Sequence, residues 1–149
     1  MLVGSNAGSN NVSGSVSVIL AHPHGSPDLK VLEDLARRVL SRENWFYHLE
    51  IVIADDAELR RLNRLFLQRD ETTDVMAFPV DGDEGDGGEI YINLDQARVQ
   101  ALENSESVQK ALARLLIHGI LHIGGWSDAT DEKRDRMLRH GEKYLSGLG

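Results

Sequence analysis

Ile117-His118-Gly119-Ile120-Leu121-His122-Ile123-Gly124-Gly125-Trp126-Ser127-Asp128 is the stretch around which the rest of the chain is organised. Its two histidines are four residues apart. On an α-helix that spacing puts both imidazoles on one face, about 6 Å apart, a workable separation for sharing one metal ion. The flanking residues Leu115, Leu116, Ile117, Ile120, Leu121 and Ile123 are apolar on every side, the pattern of a helix inside a core. Imidazoles there cost free energy unless each ring finds a partner, and one metal serves both. Gly124-Gly125 then ends the helix, since glycine readily takes the left-handed backbone of a helix stop. Asp128, six residues past His122, is within reach to return a carboxylate to the same ion. His118, His122 and Asp128 are therefore expected to form a three-ligand metal site.

A plainer reading stands beside this one. Both rings can be hydrogen-bonded core histidines, and Asp128-Ala129-Thr130-Asp131 also has the form of a helix start, a capping residue three before an acid. The residue after His118 is Gly119, so the glutamate of the H-E-x-x-H peptidase helix, its general base, is absent. A metal site here is of another kind.

The segment HGILHIGGWSD resembles the H-G-x-L-H-L-x-G-Y-x-H signature of the YbeY family, bacterial metal-dependent endoribonucleases of ribosomal RNA maturation. Leu62-Asn63 followed by Thr73-Asp74-Val75-Met76-Ala77-Phe78 is similar to the family's L-N…T-D-V-L-S-F, and Gly88-Glu89-Ile90-Tyr91-Ile92 to its G-D-I-x-I strand. The blocks come in the family's order between about residues 15 and 145, which makes the match far more specific than any one of them. There are two departures. Asp128 stands where the family usually has a third histidine, and Phe66-Leu67 stands where it has an aromatic followed by arginine. No catalytic arginine carries over to Leu67.

The 149 residues suit one domain with a single core. We expect a tail at 1–14, poor in hydrophobes and rich in Gly, Ser and Asn, to be disordered, with one YbeY-like catalytic domain over 15–149. No apolar run approaches the roughly 20 residues that span a bilayer, and no basic-then-apolar leader opens the chain. The chain has no cysteine, which excludes disulfides and thiolate metal sites and makes a reducing cytoplasm the expected setting. The net charge of −8 is the wrong sign for an indiscriminate nucleic-acid binder. Charge is local, however. Acids gather at 81–86, and arginines at Arg60, Arg61, Arg64 and Arg69. Arg60, Arg64 and Arg69 are the RNA-binding candidates, against the alternative of a solvated helix face.

Alternating β-branched residues make 15–20 a first strand, and His22-Pro23-His24 a surface loop. Leu29, Val31, Leu32, Leu35, Val39 and Leu40 mark an amphipathic helix over 28–41. Residues 45–53 alternate as a strand, with His48 structural. Asp55-Asp56 opens a helix through Phe66 with Leu59, Leu62, Leu65 and Phe66 inward. A short strand over 74–80 follows, bordering the substrate cleft if the resemblance holds. The acidic, glycine-rich 81–88 lacks EF-hand spacing and reads as a mobile linker. A strand over 89–93, a helix over 94–103, the histidine helix over 107–123 and a charged helix over 130–145 complete the chain. His140, on the last helix, reads as exposed or hydrogen-bonded rather than as a ligand. The order β-α-β-α-β-β-α-α-α is that of a compact α/β (α+β) domain, a mixed sheet covered by helices. Strand order does not follow from it.

Three protein ligands leave a fourth position open, as in catalytic zinc sites. No catalytic residue is assigned beyond the water such an ion would carry. Exchanging an imidazole for Asp128 lowers the charge of the site by one and favours harder ions slightly, so zinc is expected with nickel or manganese as alternatives. The resemblance implies a single-strand-specific endoribonuclease acting on rRNA precursors in maturation and ribosome quality control, with ribosomal subunits or proteins as partners. The rival readings are a metal-dependent hydrolase of peptides or small amides, and a non-catalytic ribosome-assembly factor with a structural metal.

Overall fold

The computed structural model describes residues 14–83 and 85–146. Apart from Gly14, the expected tail lies outside them. The elements are β1 (Ser15–Ala21), α1 (Leu29–Glu43), β2 (His48–Ala54), α2 (Asp56–Leu67), β3 (Val75–Val80), β4 (Gly87–Asn93), α3 (Leu94–Glu103), α4 (Val108–Ile123) and α5 (Asp131–Leu145). This is the expected order. The sheet runs β1-β2-β4-β3, with β1, β2 and β4 parallel and β3 antiparallel against β4. The sheet is mixed because the β3–β4 connection is short enough for a hairpin, whereas β1 and β2 are joined through α1.

Strand alternation divides the apolar residues between two faces. Leu49, Ile51 and Ile53 of β2 and Ile90 and Ile92 of β4 enter the main core with α1, α3, α4 and α5. Val52, Ala54, Met76, Phe78 and Tyr91 face the other way, against Leu59 and Leu62 of α2. α4 is buried on almost every side, as its apolar sequence requires. It can lie directly on β4 because Gly119 has no side chain there: a Cβ would come within 2.7 Å of Ile90 Cγ2. Five of the helices begin with the side-chain cap their sequence supplies: Asp28, Asp55, Asn93, Ser107 and Thr130 each accept a backbone N–H three residues on.

Three sequence expectations are corrected. Gly87 and Gly88 are not linker but the start of β4, paired with His48 and Leu49 of β2. Pairing on both sides leaves Gly88 no room for a side chain, since a Cβ would lie 2.3 Å from Ile123 Cδ1. Leu65 and Phe66 do not turn inward: they are 58% and 54% exposed, because the small cluster under α2 reaches only Leu62. Phe66 keeps partial cover through the ring of Phe78, 5.2 Å away. The His22 side chain, third, is almost wholly buried and bonds through Nε2 to Asp95 Oδ1 of α3 at 2.9 Å. Proximity in sequence to Pro and Gly did not make it a surface residue.

Asn93 has a special place at the end of β4. Its Oδ1 caps α3 at the Gln96 N–H. Its Nδ2 donates to Asp56 Oδ1 at the start of α2, and to Thr72 Oγ1 and the Thr73 carbonyl in the loop before β3. One buried amide thereby fixes three segments. Hydrogen bonds from Thr72, then from Asn93, hold the Asp56 carboxyl below its ordinary range.

Candidate metal centre and cleft

His118 and His122 project from the C-terminal half of α4 into a cleft of about 500 Å³. Its far wall comes from Thr73, Asp74, Val75 and Ala77 at the start of β3. α3 contributes Gln100, whose Nε2 donates to Asp74 Oδ2 at 2.9 Å. α5 contributes Arg134, Met137 and Leu138, and Asp128 closes the rim.

The turn that delivers Asp128 is built from local chemistry. Gly124 caps α4 with φ −79° and ψ 3°, outside the left-handed region, and the left-handed conformation falls on Gly125, at φ +99°. Gly125 N–H bonds to His122 O, and Trp126 N–H reaches back to Leu121 O, each at 3.0 Å. This is the paired hydrogen-bond pattern of a Schellman stop. Gly124 is pressed against the Trp45 ring, where a Cβ would meet ring carbons at 2.1 Å. Trp126 stacks on His140 of α5, with centroids 4.5 Å apart and planes at 16°. His140 Nε2 in turn bonds to Glu43 Oε2 at 2.7 Å, and the same carboxylate accepts from the Tyr144 hydroxyl. Thr130, not Asp128, caps α5, which leaves the Asp128 carboxylate for the cleft.

Burial pushes the Tyr144 phenol up to about 12, and its hydrogen bond to Glu43 adds to the shift. Between pH 10, the ordinary phenol value, and about 12 the unfolded chain has lost this proton while the folded chain keeps it. The group's contribution is therefore complete below pH 10 and disappears as pH rises toward 12. Denaturant titrations at several alkaline pH values are expected to show this fall, and Tyr144→Phe to lessen it.

His118 has no hydrogen-bond or ion-pair partner among the described residues. Burial lowers its pKa from the ordinary imidazole value; Asp74 opposes this, while Arg114 and His122 add to it. A neutral ring with an unshared lone pair, held on a rigid helix, is what a metal ligand requires. His122 Nε2 stands 3.6 Å from Asp128 Oδ2. In donor chemistry the residues fit a divalent ion: two imidazoles and one carboxylate around a common opening. Among the described residues no three His, Asp or Glu side chains are drawn together into an assembled ligand set, and Asp128 is exposed on its turn.

The three arginine candidates on and after α2 lie elsewhere. Arg60 approaches Asp56 at 3.9 Å, Arg64 approaches Asp70 at 3.5 Å and Arg69 approaches Glu71 at 3.8 Å. Arg69 and Leu67 line a neighbouring hollow that shares Thr73, Val75 and Ala77 with the histidine cleft. None of the three lines the cleft itself. Three polar residues of that cleft, Gln100, Arg114 and Arg134, were not singled out in the sequence. None carries a spacing signal, since each is a single polar side chain on its helix and only packing brings it to the histidines.

The family model described as Endoribonuclease YbeY matches residues 26–149. An Endoribonuclease YbeY from Salinibacter ruber is 32% identical, with 85% of this chain and 87% of that protein covered. One from Chlorobium phaeovibrioides is 34% identical, covering 83% of each. One from Solibacter usitatus is 36% identical over 79% of this chain and 78% of its own length. The solution structure of TM1509 from Thermotoga maritima superposes with a TM-score of 0.63 at 28% identity, covering 87% of both chains. With the histidine block and the 73–78 block forming facing walls of one cleft, and relatives matched over most of their length, the chain belongs to the YbeY endoribonuclease family.

Proposed function

We propose that this chain is a metal-dependent endoribonuclease that cuts single-stranded RNA during ribosomal RNA maturation, with one divalent ion held by His118, His122 and Asp128. The observation that carries the reading is the unpartnered His118 ring beside His122, in a cleft whose rim holds a carboxylate. The family's members bear the name endoribonuclease, which favours RNA over peptide substrates and an enzyme over a non-catalytic assembly factor. When bound, such an ion polarises a phosphoryl oxygen and makes a water more nucleophilic.

The chain's own residues do the rest. The rigid α4 sets the separation of the two rings, and the Schellman turn with the Trp126–His140 stack holds Asp128 near them. Asp74, fixed by Gln100, faces the histidines across the cleft and is placed to accept a proton from a group bound between them. Zinc is the ion this donor set fits best, with nickel or manganese as its competitors. Arg69, with Arg60 and Arg64 behind it, is the proposed approach for phosphates on the β3 side. Ribosomal subunits or ribosomal proteins are the proposed partners, and the cytoplasm the proposed location. Among the described residues no helix is long and apolar enough to cross a membrane.

The test is cleavage of end-labelled single-stranded RNA, duplex RNA and casein by protein loaded with zinc, nickel or manganese. Single-stranded RNA alone should be cut, with activity lost on chelation and restored by metal. Cleavage of casein instead would establish the peptide hydrolase. Ribosome co-sedimentation without cleavage of any substrate would establish the assembly factor.

A further inference from the structure

The hollow beside His48, Glu50 and Glu89 is lined by groups already bonded, His48 to Ser15 and Glu89 to Tyr91. The exposed Leu65, Phe66 and Leu67 form an apolar patch that nothing in the structure covers. Asn63 Oδ1 is buried without a hydrogen-bond partner among the described residues, in a hollow where Arg69, the one cation, is already beside Glu71. The cations around the 124–128 turn carry an argument further.

Two basic side chains line the histidine cleft, Arg114 and Arg134. Arg114 is already neutralised: it bonds to Glu106 and lies 3.6 Å from Glu142. Arg134, one turn into α5, is exposed and its guanidinium has no hydrogen-bond or ion-pair partner among the described residues. On the other side of the same turn is a second hollow of about 340 Å³, lined by Gly124, Gly125, Trp126, Ser127, Lys133 and Arg136. Arg136 is paired with Glu132, while the Lys133 ammonium again has no partner among the described residues. Of the four cations lining these two hollows, the two without a carboxylate partner among the described residues are neighbours in sequence, and each faces one of the hollows flanking the turn that carries Asp128.

We infer that Arg134 and Lys133 bind successive phosphates of the RNA strand, Arg134 inside the cleft and Lys133 beyond the turn, so that the strand crosses the first turns of α5. The inference rests on the nuclease reading of the same cleft, and it specifies where a strand lies that the reading leaves open. The chemistry is direct. A chain of net charge −8 repels a polyanion overall, so local unneutralised cations must supply the attraction. A guanidinium without a partner can offer a phosphate two parallel N–H donors at no cost of breaking an ion pair. Leu67, at the place where the resemblance would put an arginine, offers none of this. Inside the cleft the unpaired positive charge therefore comes from α5, while Arg69 serves the neighbouring hollow on the β3 side.

Binding of a fluorescent 2′-O-methyl oligonucleotide, which resists cleavage, to the full zinc-loaded chain tests this across a range of salt. Arg134→Ala is expected to weaken binding several-fold at low salt and to lower the log–log salt slope by about 0.7, the single-strand value for one phosphate contact. Lys133→Ala should do the same, and the double variant should lose about 1.4 units of slope. Arg134→Lys should recover the slope but not all the affinity, since it keeps charge and loses the paired donors. Zinc content should stay as in the unaltered chain. Affinity and slope unchanged in Arg134→Ala and in Lys133→Ala would overturn the proposal. Cleavage of unmodified RNA by the unaltered chain is scored separately. If it binds without cutting, the nuclease reading fails and the salt slopes still decide the path of the strand.

Discussion

His118→Ala is expected to remove bound metal and, with it, RNA cleavage, while leaving the metal-free fold in place. The ring lines an open cleft, so its loss opens no closed cavity, and no protein group bonds to it, so none is left unsatisfied. A second-sphere change at a metal site already costs on the order of 10–100-fold in affinity, and deletion of one of three ligands should exceed that. Bound ion also adds stability by mass action, about 2.7 kcal/mol at a hundredfold excess over Kd. The zinc-dependent rise in melting temperature should therefore vanish in the variant, while the melting temperature without zinc stays near that of the parent. Elemental analysis and melting curves with and without zinc check this. The opposite pattern, a large loss of stability without zinc and unchanged metal content, would show His118 to be a structural core histidine.

Asn93→Ala should give the largest loss of stability of any single substitution considered. The side chain is fully buried and makes four hydrogen bonds to three segments. Alanine leaves the Gln96 N–H without its cap, a loss of about 1 kcal/mol. It also takes one donor from the Thr73 carbonyl and one from the Thr72 oxygen, each bond lost costing about 1 kcal/mol, while Asp56 keeps its bond from Thr72. A total of about 3 kcal/mol is expected, part of it recovered where water enters near the partly exposed Asp56. The effect should extend to function, because Thr73 and Asp74 form the wall opposite the histidines. Denaturant melts should show the destabilisation, and zinc titration should show metal affinity little changed. Cleavage should fall through kcat as the Asp74 wall loosens. A variant with unchanged stability would mean that the amide is replaceable by water.

Acid should act on the same junction. The Asp56 carboxyl is held below its ordinary value of 3.8 by hydrogen bonds, so its contribution is present above that pH. It is lost as pH falls through the depressed folded-state value. Asn93→Ala removes one of those bonds and should reduce this part of the acid dependence.

Much of the molecule could be read from residue order because the signals were local. Period-two alternation over 45–53 and the i,i+3,i+4 pattern over 28–41 specify a strand and a helix whatever they pack against, and the elements stand at His48–Ala54 and Leu29–Glu43. Asp55 announced its helix start by the hydrogen bond its side chain makes three residues on, whereas Asp128 had the form of the cap that Thr130 supplies to the last helix. Two histidines one turn apart in an apolar run, followed by Gly-Gly, fixed their shared face and the stop after it, because helix geometry alone sets both. Other features required the assembled fold. The order β1-β2-β4-β3 depends on which edges meet, and nothing local records that. Gly87-Gly88 looked like linker because glycine has no side chain to show burial, yet strand pairing and the press of Ile123 require it there. The sequence marked Arg60, Arg64 and Arg69 by their clustering, and the carboxylates beside them, Asp56, Asp70 and Glu71, are near neighbours in the chain, whereas only tertiary packing brought Arg134 to the histidine cleft with no partner among the described residues. Charge in a sequence is only a count; whether a cation is available to a phosphate depends on distances that close when distant segments pack together.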